Sequence, residues 1–253
     1  RYDFQIKALR AVEKHQRGII QVATGGGKSK IAKLIMARYR RMTLFLTTRG
    51  ILLYQMDAQL KDIGLNTGQI GDGEFRPVRG VNLGMVQTLV AALKETTLDQ
   101  EIRAEVGRAH GSKKKVDPNS IPREQIVEIA KARLAEKEKK RKRIIKLLEL
   151  VEVVIGEEAH EAGGNSYFEI LRHCRKAWIR VALTATPFMR AGAEDNMRLM
   201  AAFGPILIKV SEQMLIERGI LARPVIKFVD VPPHEKLRRT SPWERAYKLG
   251  YME

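Results

Sequence analysis

Short apolar runs alternate along the chain with segments whose apolar positions recur every three to four residues. The runs are often β-branched and indicate buried strands, whereas the longer spacing indicates helices. The predicted strands are 18–23, 43–47, 81–86, 151–155, 179–183 and 225–229. The predicted helices include 4–15, 28–40, 51–63 and 194–203. This alternation predicts an α/β fold with a mainly parallel sheet covered by helices on both faces.

One stretch interrupts this alternation. Between the strands predicted at 81–86 and 151–155 lies far more chain than one crossover helix needs, so we expect an insertion over about 95–148. Its second part, 121–150, is rich in Ala, Leu, Glu, Lys and Arg and predicts one long helix. The basic run 137–143 within it is interpreted either as a solvated helix face or as a nucleic-acid contact.

The charge of the chain changes the choice of partner. Lys and Arg number 46 against 29 Asp and Glu, which gives a formal net charge of +17. Such an excess attracts polyanions before any specific contact forms, so nucleic acid is the first partner to consider. A solvated basic surface and an anionic membrane are the alternatives from charge alone.

Composition also bears on the compartment. Cys174 is the single cysteine, so no intrachain disulfide can form and a reducing compartment is expected. No apolar run reaches the roughly 20 residues that span a bilayer, and the first residues lack the pattern of a signal peptide. We therefore expect a cytoplasmic protein without a membrane partner, and we interpret the sequence as a fragment of a longer chain.

A glycine-rich loop follows the strand predicted at 18–23. Its residues are Thr24-Gly25-Gly26-Gly27-Lys28-Ser29. Glycines let the backbone turn tightly and direct N–H groups at phosphate oxygens, and the following helix start adds partial positive charge. Lys28 is placed to reach the β- and γ-phosphates of ATP, and Ser29 to bind Mg²⁺. Val22 stands where a strict phosphate loop has glycine, and a chance glycine-rich turn is the alternative.

Two acidic residues follow the strand predicted at 151–155. The segment is Glu157-Glu158-Ala159-His160, and sites of phosphoryl transfer place a carboxylate for the metal at such a strand end. We assign Glu157 to Mg²⁺ through water, Glu158 to activation of the attacking water, and His160 to sensing the γ-phosphate. An ordinary acidic loop is the alternative interpretation.

At this point the chain resembles the first RecA-like domain of superfamily 2 helicases of the DExH type. Residues 24–29 resemble motif I, in which threonine before Gly-x-Gly-Lys is usual, and residues 157–160 resemble motif II. The resemblance implies a RecA-like P-loop domain carrying a helical basic insertion, with ATP and Mg²⁺ as cofactors. It also implies that Gln5, in the segment that begins at Tyr2, reads the adenine edge, and both residues join the predicted nucleotide-binding set.

Two further segments resemble helicase motifs that contact the nucleic-acid backbone. Thr47-Thr48-Arg49 with Gln55 resembles motif Ia, and Gln87-Thr88-Leu89 resembles the next element at a strand end. We therefore expect Arg49, Gln55, Gln87 and Thr88 to contact phosphates without base preference. A structural salt bridge is the alternative for Arg49, and a helix N-cap is the alternative for Thr88.

The last resemblances concern coupling and subgroup. Thr184-Ala185-Thr186 resembles motif III, which couples hydrolysis to movement. The segments 68–73 and 203–221 resemble phage recombination and bacterial DNA-repair helicases that remodel branched DNA. The family normally has aspartate at the position of Glu157. The extra methylene shifts the carboxylate by roughly a bond length, which a Mg²⁺ contact through water absorbs more easily than a direct one, so metal affinity can fall without loss of activity.

The resemblance also predicts domains and partners. We expect a RecA-like domain over 1–230, and at 231–253 a linker or the start of a second RecA-like domain. That second domain supplies arginines in the family, and no segment of this sequence resembles them, so we expect weak hydrolysis by this fragment.

The expected nucleic acid is DNA, single-stranded, duplex or branched. Three alternatives stay open: an RNA helicase, the motor of a restriction complex, and a nucleotide-gated nucleic-acid-binding module with weak turnover.

Overall fold

The computed structural model describes residues 2–111, 122–188 and 192–228. The described residues form eight strands and nine helices. The strands are β1 (Arg17–Val22), β2 (Thr43–Thr47), β3 (Thr67–Gly71), β4 (Glu74–Arg76), β5 (Val81–Met85), β6 (Val153–Glu157), β7 (Ile179–Thr184) and β8 (Ile206–Val210). The helices are α1 (Asp3–His15), α2 (Lys28–Tyr39), α3 (Gly50–Lys61), α4 (Val86–Leu93), α5 (Leu98–Gly111), α6 (Arg123–Leu148), α7 (Ala159–Leu171), α8 (Ala193–Phe203) and α9 (Glu212–Glu217).

All eight strands form one sheet in the order β4-β3-β5-β2-β6-β7-β1-β8. Every neighbouring pair is parallel except β3 with β4. The pattern analysis located the five central strands, which are buried on both faces and therefore carry continuous apolar runs. It missed β3, β4 and β8, which lie towards the edges of the sheet.

Helices cover both faces of the sheet, as the sequence predicted. Successive residues of a strand point to opposite faces, so Ile19 and Ile20 belong to two different cores. The Ile20 core packs beneath α1, α2 and α3, and the Ile19 core packs beneath α4, α6, α7 and α8. This two-sided burial fixes the register of the central strands, because a slip of one residue would exchange the two cores.

The long helix predicted at 121–150 is α6, which follows α4 and α5 before the chain enters β6. Ile144, Leu147 and Leu148 are buried near its end, whereas residues 135–140 are exposed. In the part of the chain that the structure describes, no helix is both long and apolar enough to cross a bilayer.

The chain divides into two units, Arg1–Leu221 and Ala222–Glu253. Of the second unit only 222–228 is described, and it is irregular chain in which Val225 and Phe228 are 81% and 93% exposed. The strand predicted at 225–229 is therefore wrong over its described residues, because no strand pairs with them and their apolar side chains are not covered. The segment predicted at 231–253 lies outside the described residues.

Candidate nucleotide and nucleic-acid site

The glycine-rich loop joins the carboxyl end of β1 to the amino end of α2. Gly25 and Gly27 have φ angles of 81° and 83°, a left-handed region that glycine adopts without a steric penalty. Gly26 needs its small size for another reason, because a Cβ atom there would lie 2.4 Å from Cγ1 of Val22. Val22, where a strict phosphate loop has glycine, thus packs directly beneath the loop.

Lys28 and Ser29 begin α2 and point towards the end of β6. The Lys28 side chain is 9% exposed, and its Nζ atom lies 2.9 Å from Oε1 of Glu158. The Ser29 hydroxyl lies 3.5 Å from Oε1 of Glu157 and donates to it. The structure therefore brings together, across β7, the two segments that the sequence predicts to share ATP.

The two carboxylates differ in environment. Glu157 ends β6 and is only 5% exposed. Burial first, and then the charge of Glu158, raises the pKa of Glu157, while Lys28 and Ser29 oppose this rise. Glu158 has φ 46° and ψ 47°, an unusual conformation for a residue with a side chain. Local strain and an incompletely neutralised carboxylate thus coincide at one strand end.

The donor set fits a hard divalent cation. Mg²⁺ prefers oxygen ligands and commonly takes only one or two from protein beside those of phosphate and water. The Ser29 hydroxyl and the Glu157 carboxylate supply two such oxygens, and a cation would oppose the effects that raise the pKa of Glu157. Among the described residues no group of three or more His, Cys, Asp or Glu gathers as a metal cluster. Among the described residues, this pair could hold Mg²⁺, and that role stays a prediction.

Gln5 lies against the glycine-rich loop. It is buried on α1, and its Nε2 atom donates to the Gly26 carbonyl oxygen at 3.3 Å. Tyr2 is half exposed, and its ring centroid lies 6.2 Å from that of Phe4. Gln5 therefore contacts the phosphate loop, whereas Tyr2 contacts Phe4 and Gln5 of its own segment, and a nucleotide-binding role stays a prediction for both.

His160 connects the acidic segment to β7. Its Nδ1 atom lies 2.6 Å from Oγ1 of Thr184 and 3.4 Å from Oε2 of Glu158. The Thr184 hydroxyl also accepts from the backbone N–H of Thr186 at 3.3 Å. A chain of short polar contacts therefore leads from Glu158 to the predicted coupling residues.

Gln21 is a contact of this region that the sequence reasoning missed. Its Nε2 atom donates to the Ala185 carbonyl oxygen at 3.1 Å and so ties β1 to the predicted coupling segment. The available signal was a polar side chain inside an otherwise apolar strand.

The predicted nucleic-acid residues gather only in part. Thr48 and Arg49, which follow β2, both donate to the carboxylate of Glu161, with the Arg49 Nε atom 3.1 Å from Oε2. Gln87 donates to the Thr48 carbonyl oxygen at 3.0 Å. The structure therefore contains the salt bridge that was the alternative interpretation of Arg49. About two thirds of the Arg49 side chain stays exposed.

Glu161 was missed by sequence reasoning, and it lies in the first turn of α7 beside His160. Burial opposes ionisation of its carboxyl, but hydrogen bonds from Thr48 and Arg49 outweigh it and lower the pKa. The ionised Glu161 therefore joins the first turn of α7 to the segment after β2.

Gln55 and Thr88 have no part in the contact of Thr48 and Arg49 with Glu161. Gln55 is exposed on α3, and Thr88 is half buried on α4. The N-cap of α4 is Met85, so the alternative that Thr88 caps this helix is wrong.

All these segments meet one edge of the sheet. The strands β5, β2, β6, β7 and β1 are consecutive and parallel, so their carboxyl ends share an edge. Ligands of open α/β sheets bind along this edge. The predicted nucleotide residues occupy the part near β1 and β6, and Arg49 and Gln87 occupy the part near β2 and β5.

The fold and the order of its motifs define the class, which is the first RecA-like domain of a superfamily 2 helicase. Residues 2–189 match the family described as "Type III restriction enzyme, res subunit". The chain belongs to this family. No curated protein matches the sequence.

Solved helicase structures share the fold, among them the following two. The UvsW helicase from bacteriophage T4 superimposes with a TM-score of 0.50 at 16% identity, covering 79% of this chain and 58% of that one. The helicase domain of Hef from Pyrococcus furiosus gives 0.54 at 21% identity, covering 93% of this chain and 43% of that one. The chain thus spans about half the length of these two structures.

Proposed function

We propose that this domain is the ATP-binding half of a DNA helicase or translocase, in which ATP binding and hydrolysis drive remodelling of duplex or branched DNA. One observation carries the proposal. The largely buried Lys28–Glu158 ion pair and the Ser29–Glu157 contact place a phosphate-binding loop against an acidic strand end. These are the parts that phosphoryl transfer to water requires: a cation for the phosphates, oxygens for Mg²⁺, and a base for the attacking water.

The nucleotide would change the pairing of Lys28. Phosphate oxygens compete with Glu158 for the Lys28 ammonium, because both are anionic acceptors and Lys28 is largely excluded from water. Glu158, released from this ion pair, is then available to orient water. Mg²⁺ held by Ser29 and Glu157 would neutralise charge on the phosphates. Gln5 and Tyr2 complete the site on the adenine side.

The first turn of α7 would couple the two ligands. His160 contacts Thr184 and lies near Glu158, and its neighbour Glu161 holds Arg49. A nucleic-acid phosphate competes with Glu161 for Arg49 in the same way that ATP competes with Glu158 for Lys28. Changes at the nucleotide therefore reach the nucleic acid through two adjacent residues, His160 and Glu161.

The test is ATP hydrolysis with DNA or RNA as the stimulating ligand. We expect DNA to stimulate the two-domain protein, and we expect the 253-residue chain alone to bind ATP with slow turnover because a second RecA-like domain supplies arginines in this class. Greater stimulation by RNA would instead favour the RNA helicase. Fast turnover by the 253-residue chain alone would contradict the expectation of weak activity.

A restriction-complex motor is favoured as an alternative by the family match. We expect such a motor to translocate on duplex DNA without separating its strands. Displacement of a triplex-forming strand in the absence of unwinding would support this alternative, and unwinding of a forked duplex would support the helicase.

A nucleotide-gated binding module is the remaining alternative, favoured by Glu157 where the family has aspartate. If Glu157 weakens turnover, Glu157→Asp raises ATP hydrolysis in a two-domain protein. Hydrolysis that is already rapid with Glu157 and does not rise in the variant would exclude the module.

A further inference from the structure

A cleft of about 760 Å³ lies between α4, α5 and α6, beside the predicted nucleic-acid edge. Thr88, Ala91 and Ala92 line it from α4, on the face opposite to the buried Val86 and Leu89. Thr88 is also one of the predicted backbone contacts at the end of β5. The cleft therefore continues from the proposed nucleic-acid site into the insertion.

The far wall of the cleft is held in place by buried charges. Glu101 on α5 is 1% exposed and is paired with Arg108 and with Lys137 of α6. Glu105 is paired with Arg108 and with Arg133 of α6. The pairs with Arg133 and Lys137 hold α5 against α6. The pairs of Glu101 also neutralise its charge, and Glu101 is the acidic residue that lines the cleft. A phosphate entering the cleft thus meets little repulsion from its wall.

Two lysines of the cleft remain available. Lys94, just after α4, and Lys140 on α6 both line it and are exposed. Within the ranges that the structure describes, neither has an ion-pair partner, in contrast to Lys137 and Arg141. The hydroxyl of Thr96 and the amide of Gln100 add neutral donors between them. Lysine ammonium groups with hydroxyl and amide donors suit phosphate oxygens and carry no base preference.

We propose that this cleft binds the phosphodiester backbone of a nucleic-acid strand that continues beyond Thr88, with Lys94 and Lys140 as its phosphate-binding residues. The inference rests on the proposed function, because it extends the nucleic-acid path of the motor. It assigns the basic insertion to substrate binding. Lys139, Lys142 and Lys146 continue the exposed positive surface along α6.

The experiment compares a Lys94→Ala, Lys140→Ala double variant with a matched Lys7→Ala, Lys14→Ala variant on α1. Both variants remove two positive charges from exposed positions, so they alter net charge equally. Fluorescence anisotropy with single-stranded and duplex DNA, and with RNA of the same sequence, is measured across a salt series. Binding of a fluorescent ATP analogue reports that each variant is folded.

We expect the cleft variant to bind single-stranded DNA roughly three- to thirtyfold more weakly, as for the loss of two exposed charge contacts. Its slope of log affinity against log salt should fall by about 1.4 for single strands, because each phosphate contact contributes about 0.7. A similar loss on RNA supports recognition of the shared phosphodiester backbone, and a loss confined to RNA would overturn DNA as the ligand.

Two results separate this inference from the proposed function. If the wild-type protein binds DNA and DNA stimulates its ATP hydrolysis, but the cleft variant binds like the α1 variant, the cleft assignment is overturned and the motor stands. If the wild-type protein binds neither DNA nor RNA, both proposals fail together.

Discussion

Two clusters of carboxylates, buried except for the partly buried Glu158, are built from similar residues and differ in charge balance. At the end of β6, Glu157 and Glu158 share one nearby lysine, Lys28. Between α5 and α6, Glu101 and Glu105 share three cations, Arg108, Arg133 and Lys137. The first cluster has too little positive charge, and the second has a slight excess.

The balance of charge distinguishes the cluster that is suited to bind a ligand from the cluster that holds two helices together. A buried carboxylate is costly unless it is paired and hydrogen-bonded. Hydrogen bonds from Lys137 and Arg108 lower the pKa of Glu101, so this cluster is satisfied by the chain itself. Burial and the neighbouring Glu158 raise the pKa of Glu157, so that cluster is suited to an added cation. The comparison predicts that mutations in the first cluster change ligand affinity, whereas mutations in the second lower stability and leave ligand affinity unchanged.

The largest expected effect is the loss of nucleotide affinity in Lys28→Ala. Removing one charge-assisted contact to phosphate costs about 1.5–3 kcal/mol, which corresponds to a roughly 10- to 150-fold weaker affinity. Titration of a fluorescent ATP analogue measures it. Lys30→Ala, two residues further along and exposed, is the control and should retain affinity. Equal affinities in the two variants would refute the assignment of Lys28.

The second prediction concerns Glu101→Gln, which should destabilise the protein without changing nucleotide affinity. We expect a loss of about 1 kcal/mol, because the partner cations are about half exposed and solvent screens them. Chemical denaturation measures the free energy of unfolding. Glu128→Gln removes an exposed pair with Lys131 and should change it by less than about 0.5 kcal/mol. A weakened nucleotide affinity in Glu101→Gln would contradict the assignment of this cluster to stability alone.

A third prediction tests how far the nucleotide cluster extends. Thr184→Val keeps the volume of a buried side chain and removes its contact with His160. One neutral hydrogen bond is worth about 1 kcal/mol, so DNA-stimulated ATP hydrolysis should fall roughly fivefold while nucleotide affinity is unchanged. A steady-state assay with and without DNA measures the stimulation. If DNA stimulates ATP hydrolysis of the variant as strongly as that of the wild type, Thr184 has no role in coupling.

The smallest effect is a pH dependence of opposite sign in the two clusters. The folded pKa of Glu101 is lowered from its ordinary value of 4.5, so its contribution to stability is present above that value and is lost as pH falls through the folded pKa. The folded pKa of Glu157 is raised, so its ionisation costs stability as pH rises from 4.5 through the folded pKa. At pH 7, Glu157→Gln should therefore be more stable than wild type and Glu101→Gln less stable.

Denaturation curves between pH 7 and pH 4 provide this measurement. The stability advantage of Glu157→Gln should shrink as pH falls through the raised folded pKa of Glu157, because the wild-type carboxyl becomes protonated there. Variants that shift stability in the same direction at pH 7 would show that the two clusters do not differ in charge balance.

Sequence reasoning located the central strands and the motif loops because both have local signatures. An apolar run marks a strand buried on two faces, and the sequence from Thr24 to Ser29 specifies a turn that few other residues allow. β4, at the edge of the sheet, lacks such a run because it is short and partly exposed, and β3 lacks one because Gly68, Gln69 and Gly71 interrupt its apolar positions although the strand is buried. The apolar residues at 225–228 gave a false strand, since a short apolar run does not by itself specify a pairing partner.

The sequence by itself determined the fold class, the phosphate loop and the acidic strand end, because each depends on neighbours within a few residues. Only the tertiary structure decided which charges meet. Arg49 contacts Glu161 across a separation of 112 residues, and Lys137 contacts Glu101 across 36. Such pairs depend on strand order and helix packing, which local patterns do not encode. Strand order and helix packing also place one lysine near Glu157 and Glu158, and three cations near Glu101 and Glu105.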